Sequence, residues 1–416
     1  MTELDALVAL VVGGGRSVGA GDGLAFDAAV DQLVIHADRS GRRAVGAAVA
    51  KVFATVIAAM WEGGWQPGET ARAVRRELST RHGELIATAI AAEPAAARTA
   101  EAPGLWVAQL DELDAHRWWG DDVDWLGPWS ARLGVEWIAG LQVAIEALGV
   151  LLRLPAMEQL LPPPSAWGKA AWLPASDAGH DDPVLAKVRA LLAKAESTSF
   201  EAEAEALTAK AQELMSRHSI DDLLARERPG GRRDRPGARR IPVDDPYADA
   251  KSTLLSTVAS ANGVRCVWHP DLALMTVVGF DADLDGIDAL FTSLLVQATR
   301  RMVAERPEPD RWGRSQTRSF RQSFLLSFAA RIGERLAEAA DYSRQAAEAE
   351  LSVSLLPALA RRQDEVDEAV SDMFPRLKRH RSRSATNREG WAAGRQAADT
   401  AHLDGGRAHL ERASGA

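Results

Sequence analysis

The chain has 416 residues, 46% of them hydrophobic and 26% charged, with a formal net charge of −9. That length predicts two or three domains, and that composition belongs to a folded globular protein. The acidic balance argues against a dedicated nucleic-acid coat protein, and the single cysteine, Cys266, excludes an intrachain disulfide and any cysteine-rich zinc module.

Charge is unevenly placed: −8 over residues 1–180 and −1 over residues 181–416. Arg outnumbers Lys by 42 to 7, a bias that reads as genome composition rather than function. The acidic start, Met1-Thr2-Glu3-Leu4-Asp5, lacks the positive charge a secretory leader needs, so a cytoplasmic location is expected.

The first 160 residues read as helices. Thr2–Val12 is short and apolar on one side, and Gly13 to Gly19 reads as a loop. Its Gly13-Gly14-Gly15-Arg16-Ser17 start lacks the Gly-Lys-Ser/Thr ending and the preceding strand of a phosphate loop. Helical patterns follow at Leu24–His36, Arg43–Trp61, Glu69–Leu78, Gly83–Ala92 and Trp137–Leu154. Gly134 to Leu154 is the most apolar stretch. Glu136, Gln142 and Glu146 interrupt it, so it predicts a buried helix, and no membrane partner is expected. Leu161-Pro162-Pro163-Pro164 cannot continue a helix and opens a linker.

The next segment is the most regular. Pro183 follows Asp182 as a good first helical residue, and Val184, Val188, Leu191, Leu192 and Ala195 form one apolar stripe. After the turn Glu196-Ser197-Thr198-Ser199, Thr198 and Glu201 fit a capping box. Ala204, Leu207, Ala211, Leu214 and Met215 form the second stripe, and Ser219 with Asp222 predicts a third short helix through Leu224.

From Arg226 to Arg240 the chain is a Gly-, Pro- and Arg-rich linker. Tyr247–Ala261 reads as a helix stopped by Asn262-Gly263. Val264–Trp268 and Leu272–Phe280 read as strands joined at His269-Pro270-Asp271, and helices must cover so small a sheet. Leu284–Val303 and Ser319–Ala340 supply them. In the latter, Phe320, Phe324, Phe328, Ile332 and Leu336 recur at every fourth residue. One helix follows Leu356-Pro357 to about Phe374, and a last one spans about Asn387 to Leu403.

The expected fold class is therefore mostly α and multidomain. Its parts are a helical N-terminal domain (1–161), a linker (162–181), a helical hairpin (182–225), a basic linker (226–240), a small α+β domain with a two-stranded hairpin (241–350) and a helical C-terminal region (351–416).

The hairpin resembles a bacterial and phage family, the domain of unknown function 2786. The likeness rests on Lys187-Val188-Arg189-Ala190-Leu191-Leu192-Ala193-Lys194-Ala195-Glu196-Ser197-Thr198, on Glu201-Ala202-Glu203-Ala204-Glu205-Ala206, and on Lys210-Ala211-Gln212-Glu213-Leu214-Met215 with Ile220. It covers about a tenth of the chain. The region from Pro246 to about Ala340 resembles the uncharacterised partner domain that usually follows it, through Val278-Gly279-Phe280 and Ser319-Phe320-Arg321-Gln322-Ser323-Phe324. The resemblance implies a domain arrangement and no catalytic residue.

Basic clustering is the least bland feature. It falls in Arg226–Arg240, Arg300–Arg321 and Arg376–Arg395. Arg314, Arg318 and Arg321 near the start of the Phe-rich helix, with Lys187, Arg189, Lys194 and Lys210 off the hairpin's apolar stripes, are the candidate contacts to phosphate or nucleic acid. A solvated, Arg-rich face is the ordinary alternative. Arg72, Arg75 and Arg76 could enter a DNA groove from a helix-turn-helix, although the turn Glu62–Gly68 is long for one.

No metal centre and no cofactor is expected. There is no His-Glu-x-x-His, and Asp281, Asp283 and Asp285 lack the Gly and Glu that complete a calcium loop. Asp281 reads instead as a helix N-cap, and the other two as favouring the helix dipole. His402, Asp404 and His409 are at most a loose surface site. Cys266 alternates with Val264 and Trp268 and reads as buried. Trp118, Trp119, Trp125 and Trp129 lie among Asp121, Asp122 and Asp124, as core anchors or as a partner surface. Gly390, Gly394 and Ala398 leave a flat helix face for close packing.

These features predict a binding or accessory protein with nucleic acid as leading partner. The alternatives are an enzyme with its site in the α+β domain, or a protein-interaction scaffold.

Overall fold

Helix-forming residues dominate because Ala, Leu, Glu and Arg lose little side-chain freedom in a helix, and the described chain is mostly helical. The computed structural model describes residues 2–120, 123–168, 182–198, 200–228, 234–307, 309, 314–377 and 385–400. His402, Asp404 and His409, and the basic residues 378–383, lie outside them. The chain forms two compact units, Met1–Pro174 and Ala175–Ala416.

The first unit packs α1 (Glu3–Ala20), α2 (Gly23–Ser40), α3 (Arg42–Glu62), α4 (Pro67–Glu77), α5 (Thr80–Ala92), α6 (Gly104–Glu112), α7 (Leu126–Arg132) and α8 (Trp137–Leu151). A capping box starts α1, with Thr2 Oγ1 accepting from Asp5 N at 3.2 Å and Asp5 Oδ2 accepting from Thr2 N at 2.9 Å. The expected Gly13–Gly19 loop is instead the second half of α1. A Cβ on Gly14 would lie 2.9 Å from Ile145 Cγ2, and one on Gly15 2.8 Å from Leu148 Cγ, both on α8. The glycines are the contact surface of two helices, and that packing outweighs their helix cost of about 1 kcal/mol each. Among the described residues, α3 is long and apolar enough to cross a membrane by length and composition. Val45, Val49, Val52, Phe53 and Ile57 are nonetheless buried in the bundle.

The second unit begins with the hairpin α9 (Pro183–Ser197) and α10 (Glu201–Glu227). Asp182 caps α9, its Oδ1 accepting from Val184 N at 2.7 Å. Two local expectations change here. Phe200, not Thr198, is the N-cap of α10; Thr198 Oγ1 donates to Glu203 Oε2 at 2.7 Å and accepts from Phe200 N at 3.2 Å. No third short helix separates at Ser219, because α10 runs unbroken to Glu227 with Ile220 and Leu223 continuing its buried side.

The sheet has three strands rather than two: β1 (Gly237–Pro242), β2 (Arg265–His269) and β3 (Leu274–Gly279), all antiparallel in the order β1-β3-β2. Residues 226–240 are thus not simply a linker. Arg226 belongs to α10, and Gly237 to Arg240 pair with β3, Arg239 lying opposite Val277. Neither β1's composition nor its alternation marks it as a strand; the unpaired edge of β3 does that.

The helices α11 (Ala248–Ala261), α12 (Asp281–Ala304) and α13 (Thr317–Leu351) complete the core. Asp281 is the first residue of α12, and Phe280, not Asp281, takes its N-cap position. Val188, Leu192, Ala211 and Met215 of the hairpin share one cluster with Leu254, Leu255 and Val258 of α11, Ile287 and Phe291 of α12, and Phe320, Phe324 and Phe328 of α13. Met275 and Val277 of β3 join that cluster. On the opposite face, Val278 with Phe280 packs against Val366 of α14 (Leu356–Met373). Finally, α15 (Arg388–Thr400) lies against α13 through Gly390 and Gly394, where any Cβ would collide with the backbone of Phe320 and Phe324.

Candidate functional site

α11 is two-faced. Leu254, Leu255, Val258 and Ala259 are buried in the core, whereas Thr253, Ser256, Thr257 and Ser260 fall three and four residues apart on the other side and stay at least partly exposed. With the buried Ser252, these hydroxyls form one wall of a cavity of about 1030 Å³. Cys266, Val267 and Trp268 of β2 and Met275 of β3 form a second wall, and Gly333, Ala337 and Leu377 a third. Such a volume is at the upper end of small-molecule pockets.

The wall of α11 is set by helix geometry. Ser252 Oγ and Thr253 Oγ1 both donate to Asp249 O, at 2.8 and 2.9 Å, and Thr257 Oγ1 donates to Thr253 O at 2.9 Å. Gly333 lets α13 come close: a Cβ there would sit inside Thr257 Cγ2. Burial pushes the Cys266 thiol up to about 12, against a smaller opposing effect of the Ser256 hydrogen bond. The thiol is therefore neutral and a poor nucleophile. The Trp268 indole N–H is buried without a hydrogen-bond partner among the described residues. Among the described lining residues there is no carboxylate, imidazole, ammonium or guanidinium. The described lining offers hydrogen bonding and apolar contact.

A second cluster, of Arg and Asp, lies where α10, β1, α12 and α14 meet. Arg362 donates through Nε and Nη2 to Asp283 Oδ2, at 3.2 and 2.9 Å, and through Nη1 to Asp222 Oδ2 at 3.0 Å. Its guanidinium also stands 4.3 Å from the Phe280 ring centre, and that of Arg226 stands 3.8 Å from it. Arg239 pairs with Asp285, and Arg226 with Glu365. Burial pushes the Asp283 carboxyl up, and the facing Arg362 opposes that shift. Asp283 and Asp285, read from sequence as complementing the helix dipole, are the partners of these arginines, held by contacts from elements far away in the chain.

The seven predicted phosphate contacts do not form one group of free cations. Lys194 pairs with Glu203 and Lys210 with Glu213, each at 2.8 Å. Lys187 and Arg189 are exposed on α9. Arg314 is exposed before α13, Arg318 is exposed on it, and Arg321 is half-buried. Within the Arg226–Arg240 cluster, Arg226 and Arg239 are ion-paired with carboxylates.

Other candidates resolve into packing. Arg72 is buried rather than facing a groove, although Arg75 and Arg76 are exposed. Trp119, Trp125 and Trp129 are buried, Trp125 edge-on to Phe53 at 5.5 Å, while Trp118 is partly exposed under Arg132. Among the described residues no group of three or more His, Cys, Asp or Glu is placed to hold a metal. The hydroxyl-lined cavity went unread in the sequence. Its one signal was the spacing of Ser and Thr along α11, which any solvated helix face also shows.

Compared with known proteins, residues 184–222 match a family described as a protein of unknown function (DUF2786), a match that falls on α9 and most of α10. No curated protein and no solved structure matches the chain.

Proposed function

We propose that the second unit is a binding module whose ligand sits in the cavity between α11, β2 and α13. The DUF2786-like hairpin then serves as part of its scaffold, and the α11–α13 region as that hairpin's partner domain. The observation that carries this reading is the size of the cavity combined with a row of hydroxyls on one wall and apolar side chains on the others.

The test is a screen of neutral and charged fragments by ligand-observed NMR on the full chain. Ala337 is exposed within the cavity, so Ala337→Trp puts an indole into it without touching the core. Hits are expected to lose at least ~10-fold in affinity in this variant while its melting temperature stays unchanged. A screen with no hit sensitive to Ala337→Trp overturns the reading.

A second reading, contact with nucleic-acid phosphates, is favoured by one observation. Lys187, Arg189, Arg318 and Arg321 are exposed or half-buried and make no ion pair among the described residues. Binding to single- and double-stranded DNA and RNA is then expected to weaken steeply with salt, by a log–log slope of about −0.9 per phosphate on duplex DNA. Replacing these four residues with Gln flattens the slope and leaves the melting temperature unchanged. Absence of binding at low salt removes this reading.

A further inference from the structure

Resting on the cavity as a binding site, we infer that its ligand is an uncharged polyol, of which a sugar is the nearest chemistry. It would lie with its hydroxyl edge along α11 and its C–H face against Trp268 and Met275, which stand opposite one another on the same face of the sheet.

Charge comes first. No described lining side chain carries a charge at neutral pH, and the Cys266 thiol is held neutral by its burial. A charged ligand would leave water for walls whose described residues hold no counter-charge, which is costly; a neutral one avoids that cost.

Hydrogen-bond polarity comes next. The protons of Ser252, Thr253 and Thr257 are already committed to backbone carbonyls of their own helix. A hydroxyl that donates inward keeps its oxygen lone pairs, so Thr253 and Thr257 face the cavity as acceptors. At these two positions the ligand must supply the donors, while the unpartnered Trp268 N–H calls for an acceptor, and a hydroxyl serves as either. From Thr253 to Ser260 the row spans about 10 Å of helix at 1.5 Å per residue. A nucleobase gathers its donors within a single edge. A chain of sugar hydroxyls distributes them over that length, and its ring presents a C–H face to the apolar wall opposite.

The test uses the full chain, calorimetry and saturation-transfer NMR with three probes: an uncharged disaccharide such as maltose, a nucleoside such as adenosine, and glucose 6-phosphate. The disaccharide is expected to bind, with its ring C–H protons receiving saturation, and to be lost in Ala337→Trp. The double variant Thr253→Val with Thr257→Val keeps side-chain shape and removes two acceptors, for an expected loss of about 10-fold. Should that variant melt early, Ser260→Ala at an exposed position gives the same readout, with an expected loss of about 3-fold.

Preferred binding of glucose 6-phosphate or adenosine, still abolished by Ala337→Trp, overturns the polyol assignment and leaves the cavity as a binding site. Failure of all three probes to bind also overturns the polyol assignment, and the cavity reading then rests on its fragment screen. Disaccharide binding that Ala337→Trp does not affect overturns both.

Discussion

Arg362→Met is expected to lower the stability of the second unit by about 3–5 kcal/mol, because it strands a buried carboxylate. Arg362 is 6% exposed and Asp283 5%. The guanidinium is the only cation whose hydrogen bonds to Asp283 are seen among the described residues, and Asp283 Oδ1 has no partner there. Asp222, the other acceptor, is only part-buried and regains water when its partner is removed. The double variant Arg362→Met with Asp283→Leu is therefore expected to recover most of the loss, since a buried pair replaced by apolar groups of similar size is often neutral or stabilising. Chemical denaturation of the two single variants and the double variant measures the cycle. An Arg362→Met protein with wild-type stability, or a double variant less stable than either single one, would overturn the account of this cluster as a buried pair.

Phe324→Ala is expected to cost about 3–5 kcal/mol through lost burial and an unfilled cavity. Phe324 is fully buried, stacked 6.4 Å from Phe328 and tilted 6.3 Å from Phe320 along α13. Its backbone matters as well, because α15 rests on it at Gly394. Gly394→Val places a side chain inside the Phe324 carbonyl, so α15 must lift away, taking with it the hydrogen bond from Ser327 Oγ to Trp391 O. Overpacking of this kind typically costs about 1–3 kcal/mol, and more where backbone is struck. Arg321→Ala, one turn earlier and half-buried, is the control and should leave stability within about 0.5 kcal/mol. A Phe324→Ala protein that unfolds at the wild-type midpoint would show that this face does not carry the core.

Much of the fold was legible because its signals are local. The Phe320-Phe324-Phe328-Ile332-Leu336 stripe identified α13 and its buried side; all five residues are at most 1% exposed. Asp182-Pro183 marked the start of α9, and Asn262-Gly263 the end of α11. The errors share a cause. Gly13 to Gly19 lacks helix propensity, and helix packing against Ile145 and Leu148 made it helical. Gly237 to Pro242 lacks strand character, and the open edge of β3 made it a strand.

The candidate site was harder to read, for the same reason. Ser and Thr at three- and four-residue spacing on α11 look like any solvated face; only Trp268, Met275 and Ala337, brought in from β2, β3 and α13, turn that face into the wall of a cavity. The Arg clusters show the converse. They read as a basic surface, yet Arg226, Arg239 and Arg362 meet carboxylates from other elements. Sequence by itself determined the helical class, most helix positions, the β2–β3 hairpin and the likeness of the α9–α10 hairpin to DUF2786, because periodicity, caps and turn residues act over a few neighbours. Tertiary structure alone decided which charges are paired, which glycines are contacts and which hydroxyls face a cavity, because each depends on a partner distant in the chain and on the desolvation that meeting it brings.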